Sequence, residues 1–272
     1  MNASQFLRAA TQRLSGKSDS PRLDAELLLA HALGMGRSEL LLKLRDLEVP
    51  SQFHALIERR AAGEPVAYIT GERDFWTITL HVTPAVLIPR PDTETLLDAA
   101  VAHFGDRPPM RVLDLGTGSG ALLLAALDQW RHATGIGVDI SQDALAIAQA
   151  NAERLDLASR AHFQKGNWAG GIAERFDLIL INPPYISSHA MLPRDVLHHE
   201  PHAALFAGEE GLDDYRRIAP QLPALLEPGG MAAIEIGFDQ GRSAARLFEQ
   251  VGLHVRCQQD LAGRDRCLVI TP

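Results

Sequence analysis

A chain of 272 residues is long enough for one substantial core and a small accessory domain, and its strand-sized apolar runs argue against a membrane-crossing helix. The net charge is −8: residues 1–75 balance ten Lys+Arg with ten Asp+Glu, whereas residues 76–272 carry sixteen against twenty-four. No basic stripe appears, so long nucleic acid held through its phosphates is not expected. The two cysteines, Cys257 and Cys267, exclude a disulfide framework, point to a reducing, cytoplasmic compartment, and read as thiols buried on strands.

The N-terminus shows no signal-peptide pattern and reads as an amphipathic helix. Apolar residues at helical spacing in Leu23, Leu27, Leu28 and Ala30, and again in Leu40, Leu41 and Leu44, predict short helices, with Gly34 and Gly36 marking the turn between them. Pro21 suits a first helical turn, and Ser51 suits an N-cap. Residues 1–74 are therefore expected to form a small helical domain. Phe75–Leu80 and Val86–Ile88, separated by Thr83-Pro84, predict a two-stranded connector over 75–90. Pro91-Asp92-Thr93-Glu94 then opens a helix predicted to reach Phe104.

From there strands and helices alternate. Strands are predicted at 111–115, 134–138, 161–164, 176–181, 231–236, 253–258 and 266–270, with helices at 121–130, 142–155, 213–226 and 241–251. Such alternation predicts an α/β domain over 91–272, a Rossmann-like seven-stranded sheet that is mostly parallel and covered on both faces. The last two strands are joined by a loop too short for a helical crossover, so they should pair antiparallel.

Three strand ends carry chemistry. Asp114-Leu115-Gly116-Thr117-Gly118-Ser119-Gly120 is a glycine-rich turn from strand to helix, where backbone N–H groups and a helix N-terminus favour a ligand. Asp139 closes the next strand, placed to accept hydrogen bonds from ribose hydroxyls. These two features suit nicotinamide and adenosine-sulfonium cofactors equally. Asn167-Trp168, after the third strand, could flank an adenine.

The fourth strand ends in Asn182-Pro183-Pro184-Tyr185. Two prolines supply no N–H and forbid helix, leaving the Asn182 amide and nearby carbonyls uncommitted. The Asn182 side-chain oxygen and a main-chain carbonyl could accept both hydrogens of a planar NH2 group, with Tyr185 against its flat face. That pattern suggests N-methylation. It leaves glutamine and the exocyclic amine of adenine both open as substrates. His198-His199-Glu200-Pro201-His202 reads as a polar loop rather than a metal site, because Pro201 breaks helical ligand spacing. Glu209-Glu210 and Asp213-Asp214 read as a solvated face and a helix N-terminus rather than an acid–base pair, balanced by Arg216-Arg217.

Taken together, Leu87-Ile88-Pro89-Arg90-Pro91-Asp92-Thr93-Glu94, the turn Asp114 to Gly120, Asn182-Pro183-Pro184-Tyr185-Ile186, Glu200-Pro201 with Ala204-Leu205, and Gly208 with Gly211-Leu212-Asp213 resemble the release factor glutamine methyltransferases. These are class I enzymes that use S-adenosyl-L-methionine. The resemblance implies an N-terminal helical domain that helps dock a class 1 peptide-chain release factor, joined by a β-hairpin to the catalytic domain. It implies that Asp114, Gly116, Thr117, Gly118, Ser119 and Gly120 surround the methionine part of the cofactor, that Asp139 binds its ribose, that Trp168 lies by its adenine and that Asn182 also contacts the cofactor. Asn182, Pro183, Pro184 and Tyr185 would hold the glutamine of a Gly-Gly-Gln loop, with Asn182 and the Pro183 carbonyl as the catalytic acceptors. A monomer without a metal is expected. The competing reading is an adenine-type nucleic-acid amine methyltransferase.

Overall fold

The computed structural model describes residues 2–44 and 46–272. The chain divides into two compact units, Met1–Glu72 with Leu192–His199, and Arg73–Met191 with Glu200–Pro272.

The first unit is helical: α1 (Ala3–Leu14), α2 (Pro21–Leu33), α3 (Arg37–Lys43), α4 (Gln52–Ala61) and α5 (Val66–Thr70). Asn2 caps α1 in a reciprocal box with Gln5, and Gly34 ends α2 in the left-handed region. Ser51 differs from expectation, since its own backbone is helical and its hydroxyl makes no capping bond. Leu7, Leu14, Leu28, Leu29, Leu40, Phe53 and Ile57 form the core. Beneath them a buried Arg60 pairs with Asp24 at 2.7 Å. The segment 192–199 belongs to this unit, and the Asp195 carboxylate lies 4.0 Å from Arg60. A cut near residue 75 would therefore strand a helix of the first unit in the second polypeptide.

The second unit opens with a hairpin of β1 (Glu72–Phe75) and β2 (Ile78–His81). The predicted strand 75–80 is instead interrupted at its second residue, because Trp76 takes a positive φ of 54° and turns the chain. Val86–Ile88 forms no strand; Val86 N–H closes a turn onto Thr83 O at 3.1 Å. A 3₁₀ turn, Pro91–Thr93, leads into α6 (Glu94–Phe104).

The sheet then alternates with helices through β3 (Arg111–Leu115), α7 (Ala121–Gln129), β4 (Thr134–Asp139), α8 (Gln142–Arg154), β5 (Ala161–Lys165), β6 (Phe176–Ile181), α9 (Arg194–His199), α10 (Asp213–Ile218), α11 (Leu222–Leu225), β7 (Leu226–Glu235), α12 (Gly241–Glu249), β8 (His254–Gln259) and β9 (Asp265–Thr271). The seven strands lie in the order β5-β4-β3-β6-β7-β9-β8. β9 runs antiparallel to both neighbours, and the β5 to β7 pairings are all parallel.

Three departures from the expected elements have local causes. The helix foreseen over 213–226 is broken into α10, a 3₁₀ turn and α11, because Pro220 and Pro223 each remove a helical N–H. β7 begins at Leu226, five residues early, and a register shift opposite Phe176/Leu178 absorbs Pro228, Gly229 and Gly230 within the strand. His198 and His199 end a helix rather than lying in a loop. Cys267 is buried on β9 as expected, but Cys257 is exposed on β8, the edge strand.

The chain passes from β3 to β4 and β5 on one side, then returns to place β6 on the other side of β3. That reversal leaves a crevice at the carboxyl ends of β3 and β6, where the site forms.

Candidate active site

A cleft of about 430 Å³ opens at this edge, lined by Asp114, Gly116, Thr117, Gly118, Ser119, Asp139, Asn167, Trp168, Asn182 and Pro184 from the strand ends. Leu87, Pro89 and Thr93, with Pro201, Ala203, Ala204 and Phe206, add to the wall. Gly120, Pro183 and Tyr185 stand behind the lining.

The glycine turn serves shape more than donation. Gly116 and Thr117 N–H both donate to Val138 O, at 2.8 and 3.0 Å, and Gly118 N–H donates to Asp139 Oδ2 at 2.9 Å. The expected row of free backbone donors is thus largely spent on stitching β3 to β4. What the turn provides is room. Gly116 has φ of 76°, and a Cβ there would lie 3.4 Å from Trp168 Cζ3, so glycine lets the indole approach the turn. Trp168 itself has φ of 52°. Asp214 lies in the first turn of α10, where a helix start was expected, and is buried and paired with Arg217 at 3.0 Å.

Asp114 is buried, accepting from Thr117 Oγ1 at 2.6 Å and Leu123 N–H at 3.2 Å. Burial pushes its pKa up to about 7, against those two hydrogen bonds, with a small further push from Asp139. Its Oδ1 is buried with no partner. Asp139 accepts on both oxygens, from Gly118 N–H and from Ser141 N–H at 2.9 Å. Each oxygen retains a further lone pair.

At the end of β6 the side chain of Asn182 donates through Nδ2 to Thr93 Oγ1 at 3.2 Å, which leaves Oδ1 as its remaining acceptor. Tyr185 does not present its hydroxyl to the cleft; it donates to Glu235 Oε1 at 3.0 Å, while its main-chain carbonyl accepts from Gln240 Nε2 at 3.0 Å. Burial, then the Glu235 charge, raise the Tyr185 pKa, so the phenol stays a donor. Gly211 explains one glycine of the sequence motif: a Cβ there would stand 2.2 Å from Tyr185 O. Glu200, buried, accepts from Ile88 N–H at 3.3 Å and pairs with Arg90, which joins the segments 87–90 and 200–206 of the wall.

Sequence reasoning brought Asp114, the glycine turn, Asp139, Trp168 and Asn182 to one cleft. It missed Thr93 as a partner of Asn182, Asp214 as a residue of the cleft lining, and Asn151. Fully buried, Asn151 bonds the main chain of His81 and, at 2.9 Å, Ser119 O. A polar residue on an otherwise apolar helix face was the one signal available for it. Among the described residues, no group of three or more His, Cys, Asp or Glu is placed to hold a metal ion, and no helix is long and apolar enough to cross a membrane.

A seven-stranded sheet with one reversed strand, a glycine turn after its first strand and an Asn-Pro-Pro corner at its switch point defines an α/β methyltransferase. The family model described as a methyltransferase domain matches residues 106–251, and that of the PrmC N-terminal domain matches residues 5–71. The release factor glutamine methyltransferase of Cereibacter sphaeroides is 45% identical over 98% of this chain and 97% of its own length. That of Caulobacter vibrioides is 41% identical over 96% and 93%, and that of Moorella thermoacetica 41% over 99% and 98%. The chain belongs to the release factor glutamine methyltransferase family. Among solved structures, a methyltransferase from Pyrococcus furiosus shares the fold with a TM-score of 0.54 at 17% identity, covering 81% of this chain and 98% of that one. The Thermus thermophilus 16S rRNA N2 G1207 methyltransferase shares it at 0.52 and 21% identity, over 73% and 48%.

Proposed function

We propose that this protein uses S-adenosyl-L-methionine to methylate the side-chain amide nitrogen of the glutamine in the Gly-Gly-Gln motif of class 1 peptide-chain release factors. The observation that carries this reading is Asn182: one N–H of its amide is given to Thr93, which leaves Oδ1 without a protein partner among the described residues and able to accept from a planar NH2 donor.

The residues present fit the cofactor. The cleft has the volume of a small-molecule site, Gly116 leaves Trp168 free to offer a flat indole, and Asp139 has acceptor capacity for ribose hydroxyls. Gly116 to Gly120, with Asp114 beneath, would surround the methionine part. When bound, S-adenosyl-L-methionine supplies an electrophilic methyl group on a sulfonium sulfur.

The protein's own task is alignment, because an amide nitrogen is a weak nucleophile with its lone pair delocalised into the carbonyl. Asn182 Oδ1 and the Pro183 carbonyl accept the two N–H bonds of the glutamine amide and fix its plane. Such positioning contributes up to roughly 7–11 kcal/mol when reactants are held at near-attack geometry. The same two dipoles stabilise positive charge developing on the nitrogen. Pro183 and Pro184 stiffen the corner, and Tyr185, anchored on Glu235, backs it. Proton loss follows transfer.

We assign the N-terminal helices, residues 1–74, to docking of the release factor, residues 75–90 to the connector, and the rest to catalysis. The enzyme acts as a monomer in the cytoplasm. The charge balance supports this division, with a neutral N-terminal part suited to a protein partner. Incubation with methyl-labelled cofactor and either release factor or RNA and DNA tests the reading: label in the release factor is expected, and label only in nucleic acid would replace it with the amine-base alternative.

A further inference from the structure

We propose that Gln240 is a positioning residue for the transfer: its carboxamide clamps the exit of the Asn-Pro-Pro-Tyr corner to the segment 205–211 and so aims the Pro183 carbonyl at the substrate. This rests on the reading of Asn182 Oδ1 and the Pro183 carbonyl as the acceptors of a substrate NH2 group.

The corner is a bridge between two supports. On its near side β6 is fixed by the sheet, where Ile181 pairs with Ile234 of β7. Pro183 and Pro184 have no N–H to give, so the bridge depends on what holds the chain on its far side. There Tyr185 O accepts from Gln240 Nε2 at 3.0 Å. The residues that follow pair with 205–208: Ile186 N–H donates to Leu205 O at 3.0 Å, Ala207 N–H to Ile186 O at 2.9 Å and Ser188 N–H to Gly208 O at 2.9 Å. Phe206, in that segment, lines the cleft.

Gln240, buried at the N-terminal edge of α12, is the joint. The same Nε2 that meets Tyr185 O lies 3.2 Å from Gly211 O and 3.4 Å from Glu210 O, while Oε1 accepts from Gly237 N–H at 3.0 Å. These partners fix the direction of the carboxamide. Main-chain carbonyls only accept and a backbone N–H only donates, so the NH2 group faces Tyr185, Glu210 and Gly211, and the oxygen faces Gly237. A flipped amide would set oxygen against three carbonyls. Packing around the joint is close: a Cβ on Gly211 would stand 2.2 Å from Tyr185 O and 2.8 Å from Gln240 Nε2. Tyr185 is thus held at both polar ends, its hydroxyl on Glu235 and its carbonyl on Gln240. Because each proline fixes its own φ, a shift of Tyr185 is passed back along the corner to the Pro183 carbonyl.

Glutamate in place of Gln240 keeps the shape and the bond to Gly237 but, once ionised, faces three carbonyls with no hydrogen to give. Methionine keeps the length and removes the bonds on both sides. The test compares wild type with Gln240→Glu and Gln240→Met. It measures kcat and KM on intact release factor, the cofactor dissociation constant, and the Tyr185 amide resonance. Pro184-Tyr185 is the one Pro-Tyr step in the chain, so protein labelled with 13C-carbonyl proline and 15N-tyrosine gives a single correlated peak. A misaimed acceptor predicts that kcat at pH 8 falls about 10–100-fold in both variants while the cofactor dissociation constant moves less than about 2-fold. The Tyr185 peak shifts in both. Turnover of Gln240→Glu relative to wild type recovers as pH falls and the carboxyl gains a proton to donate, whereas that of Gln240→Met does not. Wild-type kcat at pH 8 in either variant, a Tyr185 peak that stays in place, or equal losses in kcat and cofactor affinity overturns the proposal. If Gln240→Met fails to fold, the pH dependence of Gln240→Glu against wild type decides alone. Wild type that leaves glutamine unmodified sinks the functional reading instead, and the Tyr185 peak still decides this one.

Discussion

The two halves of the sheet's carboxyl edge are built on opposite plans. At β3 and β4 the ligand wall is made of main chain, with Gly116 and Gly118 at positive φ and their N–H groups tied to Val138 and Asp139. At β6 and β7 it is made of side chains in a buried network, Asn182 to Thr93 and Tyr185 to Glu235. The first plan gives shape, which suits holding a fixed cofactor at the same place. The second gives hydrogen-bond polarity, which suits choosing a substrate nitrogen and aiming it. The difference teaches that the two halves should fail differently, in affinity on one side and in turnover on the other.

The largest separation is expected from Asn182→Ala. Removing an acceptor aimed at developing charge lowers turnover by about 10²–10³-fold, while calorimetry should find cofactor affinity nearly unchanged. Equal losses in both would erase the distinction between the two halves. Next in size is Asp114→Asn, read through stability rather than rate. Burial raises the Asp114 pKa from 3.8 to about 7, so the folded state binds a proton that the unfolded state has released between those values. Wild-type stability is therefore greater at the acid end of that window and falls as pH rises through about 7. Between pH 5 and pH 8 this amounts to roughly 2–3 kcal/mol, a slope that Asp114→Asn should abolish in urea titrations.

Gly116→Ala should cost about 1–2 kcal/mol of stability from its left-handed backbone, and the added methyl, 3.4 Å from the Trp168 ring, should also quench or shift the indole fluorescence. An unchanged emission spectrum would separate Trp168 from the turn. The smallest effect is expected from Asp139→Asn, which keeps one acceptor oxygen and loses charge: cofactor affinity should fall by about 5–10-fold, near 1 kcal/mol, with kcat at saturating cofactor preserved. A change confined to kcat would move Asp139 to the substrate half.

The legibility of the molecule follows the same divide. The glycine turn and the Asn-Pro-Pro-Tyr corner were readable because each is a contiguous run whose residue types leave few backbone options. So was the sheet, since strand and helix periods alternate cleanly and a short final loop forces β8 and β9 to pair antiparallel. Thr93, Glu235 and Asn151 were not readable as site residues, because each reaches its partner across sheet registers or from a distant helix. Glu235 ends an apolar strand and gives no local sign that the Tyr185 hydroxyl bonds to its carboxyl. The turn's donors were misjudged for the same reason, since the Val138 carbonyl that takes two of them lies on another strand. Trp76 turned the connector early through a positive φ that no propensity for tryptophan anticipates.

The most direct test of the central claim is fragment mass spectrometry of an intact release factor after incubation with this enzyme and S-adenosyl-L-methionine, beside the Asn182→Ala variant. The account predicts one added methyl group, on the side-chain nitrogen of the Gly-Gly-Gln glutamine, present with wild type and missing with the variant. A methyl group on any other residue, or on that glutamine with both enzymes alike, would contradict it.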